Sequence, residues 1–195
     1  MKITIDDIKI LRQQTGAGLL VVKNALNEAG GDLVKAKTII KERGQLIAAK
    51  KSDRDIKEGV VASYIHTNNK VGAMVELLCE TDFVARNQEF KDLAHNLALQ
   101  ITASNPSFIK PKQASPDFIK QQRFIAEKAV ETSDKLKNIK DKIIDGKVNK
   151  AVSEAALYNQ AFVKDPNLTI KDLITEAITK LGENIEVGRF SRFEI

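Results

Sequence analysis

The sequence predicts an α+β protein: a small three-helix bundle, then a larger domain in which a short antiparallel sheet is packed by helices on one side. Three observations carry this. The first stretch shows helical apolar spacing broken by glycine turns at Thr15-Gly16-Ala17-Gly18 and Gly30-Gly31-Asp32. Val71 to Glu80 alternates, with Val71, Ala73, Val75, Leu77 and Cys79 on one face and Met74, Glu76, Leu78 and Glu80 on the other, which argues a strand with at least one buried face. Ile185 to Ile195 is rich in β-branched and aromatic residues and reads as a strand returning to the same sheet. The expected division is 1–54, bundle and linker, and 55–195, sheet domain.

Taken in order, Thr4 and Asp7 make a capping signature for a first helix in which Ile5, Ile8 and Leu11 follow helical spacing. A second helix runs from Leu19 to Ala29, with Leu19, Val22, Leu26 and Ala29 on one side. At Gly30-Gly31-Asp32 glycine permits a left-handed turn and Asp32 accepts orphan amide protons of the next helix. That third helix should end at Gly44, with Leu33, Ala36, Ile39 and Ile40 inward. Gln45 to Glu58 reads as a polar linker with a start that can be helical. A strand over Gly59–Thr67, an Asn68-Asn69 turn and the strand from Val71 form a hairpin.

Thr81-Asp82-Phe83-Val84 lies where the Val71 strand ends, and helix is expected from Ala85 onward. Such a corner is a rigid mount for a side chain meant for a partner. Phe83 can equally be a hydrophobic staple and Asp82 an N-cap, while Arg86 reads as one half of an ion pair. Gln88 to Ser104 is amphipathic, with Phe90, Leu93, Ala94, Leu97 and Ile101 in one stripe. After a loop marked by Pro106, Pro111 and Pro116, helices are expected over Phe118–Lys137, Leu136–Asp145 and Lys147–Gln160, with a turn at Gly146. Ala161 to Pro166 reads as a loop. Thr169 and Asp172 repeat the capping signature ahead of a last helix that Gly182 ends.

Composition narrows the function. No apolar run approaches the roughly 18 residues of a membrane span, and the acidic start Asp6-Asp7 is unlike a secretory signal. The lone Cys79 allows no internal disulfide; it is either a buried small hydrophobe in a reducing compartment or a link between two chains. The net charge of +5 resides wholly in residues 1–54, with eleven Lys/Arg against six Asp/Glu, whereas 55–195 hold twenty of each. This suits an acidic protein surface, weak nucleic-acid attraction or a solvated helix face. Aromatics are 5% with no Trp, so stacking platforms for stable nucleic-acid binding are lacking.

No phosphate loop, dinucleotide fingerprint or H-E-x-x-H is found, and no Ser/His/Asp or Cys/His set has supporting context. His66 and His95 have no second ligand at metal spacing. The expectation is a protein that presents surfaces: no enzyme, no catalytic residue, no metal and no cofactor.

Leu11-Arg12-Gln13-Gln14-Thr15-Gly16-Ala17-Gly18, followed by Lys23, Ala25 and Leu26, resembles the N-terminal signature of bacterial elongation factor Ts. Cys79 with Glu80-Thr81-Asp82-Phe83-Val84-Ala85-Arg86 is similar to that family's second signature, and Phe162-Val163-Lys164-Asp165-Pro166 to a third. The three occur in the right order and span the chain. Departures are Leu19-Leu20-Val21-Val22 where methionine and cysteine are usual, Leu78 where asparagine is common and Ala161 where proline is common.

The resemblance implies a ubiquitin-associated-like (UBA-like) bundle and a core of the dimerisation type, in the short form with a single core module, which can pair into homodimers. It implies a cytoplasmic guanine nucleotide exchange factor that binds elongation factor Tu, GDP-bound and nucleotide-free. Thr81, Asp82, Phe83 and Val84 match the element that enters the GTPase domain and dislodges Mg²⁺, with Phe83 as the intruding ring. Arg12, Thr15, Gly16, Gly18 and Lys23 match the N-terminal docking surface. The alternatives are a UBA-like adaptor that binds a protein partner without exchange, and a basic RNA-binding protein.

Overall fold

A computed structural model describes residues 3–131 and 136–195. Three helices come first: α1 (Ile5–Thr15), α2 (Leu19–Glu28) and α3 (Leu33–Lys51). Then follow β1 (Glu58–Ile65), β2 (Val71–Cys79), α4 (Asp82–Arg86), α5 (Gln88–Ser104), α6 (Pro116–Val130) and α7 (Lys137–Ala155). The chain closes with β3 (Ala161–Phe162), β4 (Asp165–Thr169), α8 (Ile170–Leu181) and β5 (Glu186–Glu194). The architecture is α+β, as expected.

The local signals at the start of the chain act as read. Thr4 Oγ1 accepts from the Asp7 amide at 3.1 Å and Asp7 Oδ2 accepts from the Thr4 amide at 2.9 Å. Asp32 Oδ1 accepts from the Val34 and Lys35 amides at 2.9 and 3.1 Å. Leu11, Ala17, Val22, Ala25, Leu26, Ala36 and Ile40 form the buried cluster of these helices. Ile5 and Leu19, though at helical spacing with the apolar residues of their helices, are exposed. Each opens its helix, and a core this small cannot cover both ends.

Gly44 does not end the third helix. α3 runs on to Lys51, so much of the expected linker is helical. Gly44 is buried against α8, where an added Cβ would lie 3.2 Å from Thr179 Oγ1. The missing side chain lets two helices approach, and that packing outweighs a helix penalty of about 1 kcal/mol. Lys41 Nζ on α3 also pairs with Asp172 Oδ2 on α8 at 2.9 Å.

The three-stranded antiparallel sheet has the order β1-β2-β5, so the alternating strand is central and the C-terminal strand does return to it. Ser63 stands opposite Met74, and Val75 opposite Phe190. Asn69, at φ 55°, turns the hairpin. The inner face, Ala73, Val75, Leu77 and Cys79, packs on the α5 stripe of Phe90, Leu93, Ala94, Leu97 and Ile101, and Ile170, Ile174 and Ile178 of α8 join the same buried cluster. The outer face leaves Val61, Ile65, Met74 and Phe193 exposed.

Four further expectations are corrected. α7 passes through Gly146 unbroken, because Ile144 and Val148 on either side pack against Ala126 and Val130 of α6. It stops at Ala155, and a 3₁₀ turn over Leu157–Asn159 replaces the expected end of the helix at Gln160. Of the run expected helical to Lys137, α6 ends at Val130 and residues 132–135 lie outside the described residues. Ala161–Pro166 is no plain loop: β3 and β4 pair in a small hairpin. The fully buried Gln100 holds it, donating from Nε2 to the Ala161 carbonyl at 3.1 Å and accepting the Val163 amide at 2.9 Å.

Candidate functional site

The corner after β2 is built from a helical stub. Helix was expected from Ala85, but α4 already begins at Asp82 and breaks at Asn87, whose side chain accepts from the Glu89 amide at 2.8 Å and starts α5 afresh. Thr81, in extended conformation, is the N-cap and accepts from the Val84 amide at 3.4 Å, so the cap is Thr81 and not Asp82. Asp82 instead pairs with Arg86 at 3.0 Å one turn on, the ion pair expected of Arg86.

The stub's facing follows from its spacing. Ala85 is buried and Val84 packs against the main core. With those two turned inward at 100° per residue, Phe83 must point away. It does: Phe83 is 81% exposed, and no staple contact covers it. A large aromatic ring held out on a short, capped turn is an arrangement suited to insertion in a neighbour's cleft.

The base of the corner is tied down by polar contacts. Thr81 Oγ1 donates to Glu183 Oε1 at 2.6 Å, and the Glu80 and Thr81 amides both donate to Glu183 Oε2 at 3.0 Å. Glu80 Oε1 accepts from the Asn184 amide at 2.6 Å and pairs with Arg54 at 3.3 Å. Cys79 is fully buried, its thiol donating to the Thr81 carbonyl at 3.2 Å. Burial first, and the nearby Glu183 charge second, push that thiol up to about 11. A buried neutral thiol settles the sequence alternative in favour of the small hydrophobe.

The N-terminal candidates fall into two groups. Arg12 on α1 and Lys23 on α2 are exposed, as are Leu19 and Leu20 at the start of α2. Thr15, Gly16 and Gly18 instead build the α1–α2 turn. Gly16, at φ +62°, caps α1 by donating to the Arg12 carbonyl at 2.9 Å, and Thr15 Oγ1 donates to the Leu11 carbonyl at 2.6 Å. These turn residues line a cleft of about 400 Å³ toward Lys41, Asp172 and Lys180. Among the described residues no group of three or more His, Cys, Asp or Glu side chains is placed to hold a metal ion. No described helix is long and apolar enough to cross a membrane.

Sequence reasoning missed Glu183, Asn184 and the exposed Leu20. Leu20 carries the only local signal of the three, a second leucine out of step with the buried positions of α2.

The family model described as Elongation factor TS matches residues 20–195. The chain belongs to the elongation factor Ts family. Elongation factor Ts of Herpetosiphon aurantiacus is 47% identical over 195 residues, covering 100% of this chain and 98% of that relative. Elongation factor Ts of Thermotoga petrophila is 45% identical over all of this chain and 97% of its own length. The Rubrobacter xylanophilus protein of the same name is 45% identical, and the match covers 100% of both chains. Family membership places the chain among translation elongation factors of protein biosynthesis. The match to full-length relatives includes the Arg12–Gly18 turn, which precedes the span of the family model.

Proposed function

We propose that this chain is a guanine nucleotide exchange factor that binds elongation factor Tu·GDP, displaces Mg²⁺ and accelerates GDP release so that GTP can bind. The observation that carries the reading is Phe83, exposed at the tip of a capped stub whose Ala85 is buried and whose Val84 packs half-buried on the core, in a chain of the elongation factor Ts family. Phe83 is the intruding ring; Thr81 caps the turn beneath it, Val84 seats it on the core and Asp82 is its polar companion. GDP–Mg²⁺ in such GTPases is held by backbone amides, a lysine and a hydroxyl–metal bridge, so disturbing the metal loosens the nucleotide. Coupling is reciprocal: the factor that weakens GDP must bind the empty partner more tightly than the loaded one.

In this reading residues 1–54 form a UBA-like docking module with a short linker, and 55–195 the dimerisation-type core. Arg12 and Lys23, with the exposed Leu19 and Leu20, form the docking face, while Thr15, Gly16 and Gly18 shape the turn that presents it. The factor works in the cytoplasm without cofactor, resident metal or covalent chemistry, and needs neither membrane nor stable nucleic-acid contact. The exposed outer sheet face, with Val61, Ile65, Met74 and Phe193, supports pairing of two copies into a homodimer.

The test is release of fluorescently labelled GDP from elongation factor Tu. Substoichiometric amounts of the chain should accelerate release with turnover. An adaptor without exchange activity would bind and leave the rate unchanged.

A further inference from the structure

We propose that Glu183 is a positioning residue of the exchange reaction, fixing Thr81 and, through it, the direction in which Phe83 projects. The inference rests on the exchange reading above.

The corner cannot orient itself. β2 leaves its ladder after Cys79, paired with Glu58, so the amides of Glu80 and Thr81 have no strand partner. Donors in this half-buried segment need an acceptor, and Glu183 Oε2 takes both at 3.0 Å. α4 has five residues, far too short to hold a direction alone. Its axis is set where Thr81 caps it, and the Thr81 hydroxyl is locked between the Val84 amide and Glu183 Oε1, at 3.4 and 2.6 Å. One carboxylate thus spends both oxygens on the two residues immediately before the stub. Charge-assisted bonds of this kind fix geometry better than neutral ones.

Glu183 is itself well seated. It follows Gly182, which ends α8 at φ +80°, and precedes the buried Asn184. Asn184 Nδ2 donates to the Ser52 and Arg54 carbonyls at 3.5 and 3.2 Å, and its amide donates to Glu80 Oε1 at 2.6 Å. Two adjacent residues therefore clasp both the Phe83 corner and the segment that leaves α3. The N-terminal helices and the projecting ring share one anchor, so that both reach a partner at a fixed spacing.

The test is a double-mutant cycle on the full chain, read as the maximal rate of labelled GDP release from elongation factor Tu at saturating factor. Glu183→Ala should lower that rate about tenfold, and Glu183→Gln, which keeps the size and one acceptor oxygen, by less. Phe83→Ala should lower it further, and adding Glu183→Ala to Phe83→Ala should change nothing more. A purely structural role would give the same loss in both backgrounds, and that result overturns the positioning role while leaving the ring's role intact. So would a wild-type rate in Glu183→Ala. A wild-type rate in Phe83→Ala overturns the exchange mechanism and the positioning role together. If Glu183→Ala fails to fold, as judged by thermal unfolding, Glu183→Gln carries the same comparison.

Discussion

Phe83→Ala separates fold from function more cleanly than any other change in this chain. The ring is 81% exposed, so removing it takes almost no buried surface from the folded state. Alanine also suits a helical turn better than phenylalanine. Stability should move by no more than about 0.5 kcal/mol. The loss falls instead on the complex. A buried phenylalanine removes about 150–250 Å² from water, and four-fifths of that is on offer here, worth about 3–5 kcal/mol gross at 25 cal/mol per Å². Ordering and imperfect fit reduce this to a net contribution of about 2 kcal/mol, or about 30-fold in rate if it is realised in the exchange transition state. Stopped-flow release of labelled GDP from elongation factor Tu reads the rate, and a thermal melt reads the fold. Release at the wild-type rate, or a melt lowered by many degrees, would refute the reasoning.

Asp172 gives a pH prediction. Burial acts to raise its pKa, but the Lys41 hydrogen bond, the Thr169 amide and hydroxyl and the Lys41 charge together hold it below the ordinary value. Its contribution is therefore present above about pH 4 and lost as the pH falls through the folded value. Asp172→Asn should flatten the acid limb of stability against pH, measured by urea unfolding from pH 6 to pH 2; an unchanged limb would contradict the assignment. Cys79, neutral well past physiological pH, should resist alkylation at pH 8 in the folded chain and react on unfolding; equal rates in both states would contradict its burial. Sedimentation should show a dimer that reductant leaves intact and that Met74→Asp, on the outer sheet face, dissociates; a wild-type monomer at tens of micromolar would rule out the pairing.

What could be read from the sequence was local. The Thr4–Asp7 and Thr169–Asp172 boxes, the α5 stripe and the hairpin around Asn69 each depend on residues a few positions apart, and each is present. Glycine misled twice. Its helix penalty of about 1 kcal/mol is smaller than what α3 gains against α8 or α7 against α6, so Gly44 and Gly146 sit inside helices. The β3–β4 hairpin was missed because it is held from outside by Gln100, about sixty residues earlier. At the candidate site the corner and its residues were visible, but the facing of Phe83 depends on which side of a five-residue stub meets the core. The Glu183 contacts reach across 102 residues, and no pattern near Thr81 announces them.

The most direct measurement is the magnesium dependence of exchange. Labelled GDP release from elongation factor Tu would be timed with and without the chain, first in millimolar Mg²⁺ and then in excess chelator. If the ring works by dislodging the metal, chelation should speed spontaneous release and remove most of the acceleration the chain provides. An acceleration of the same fold in both conditions would contradict that mechanism.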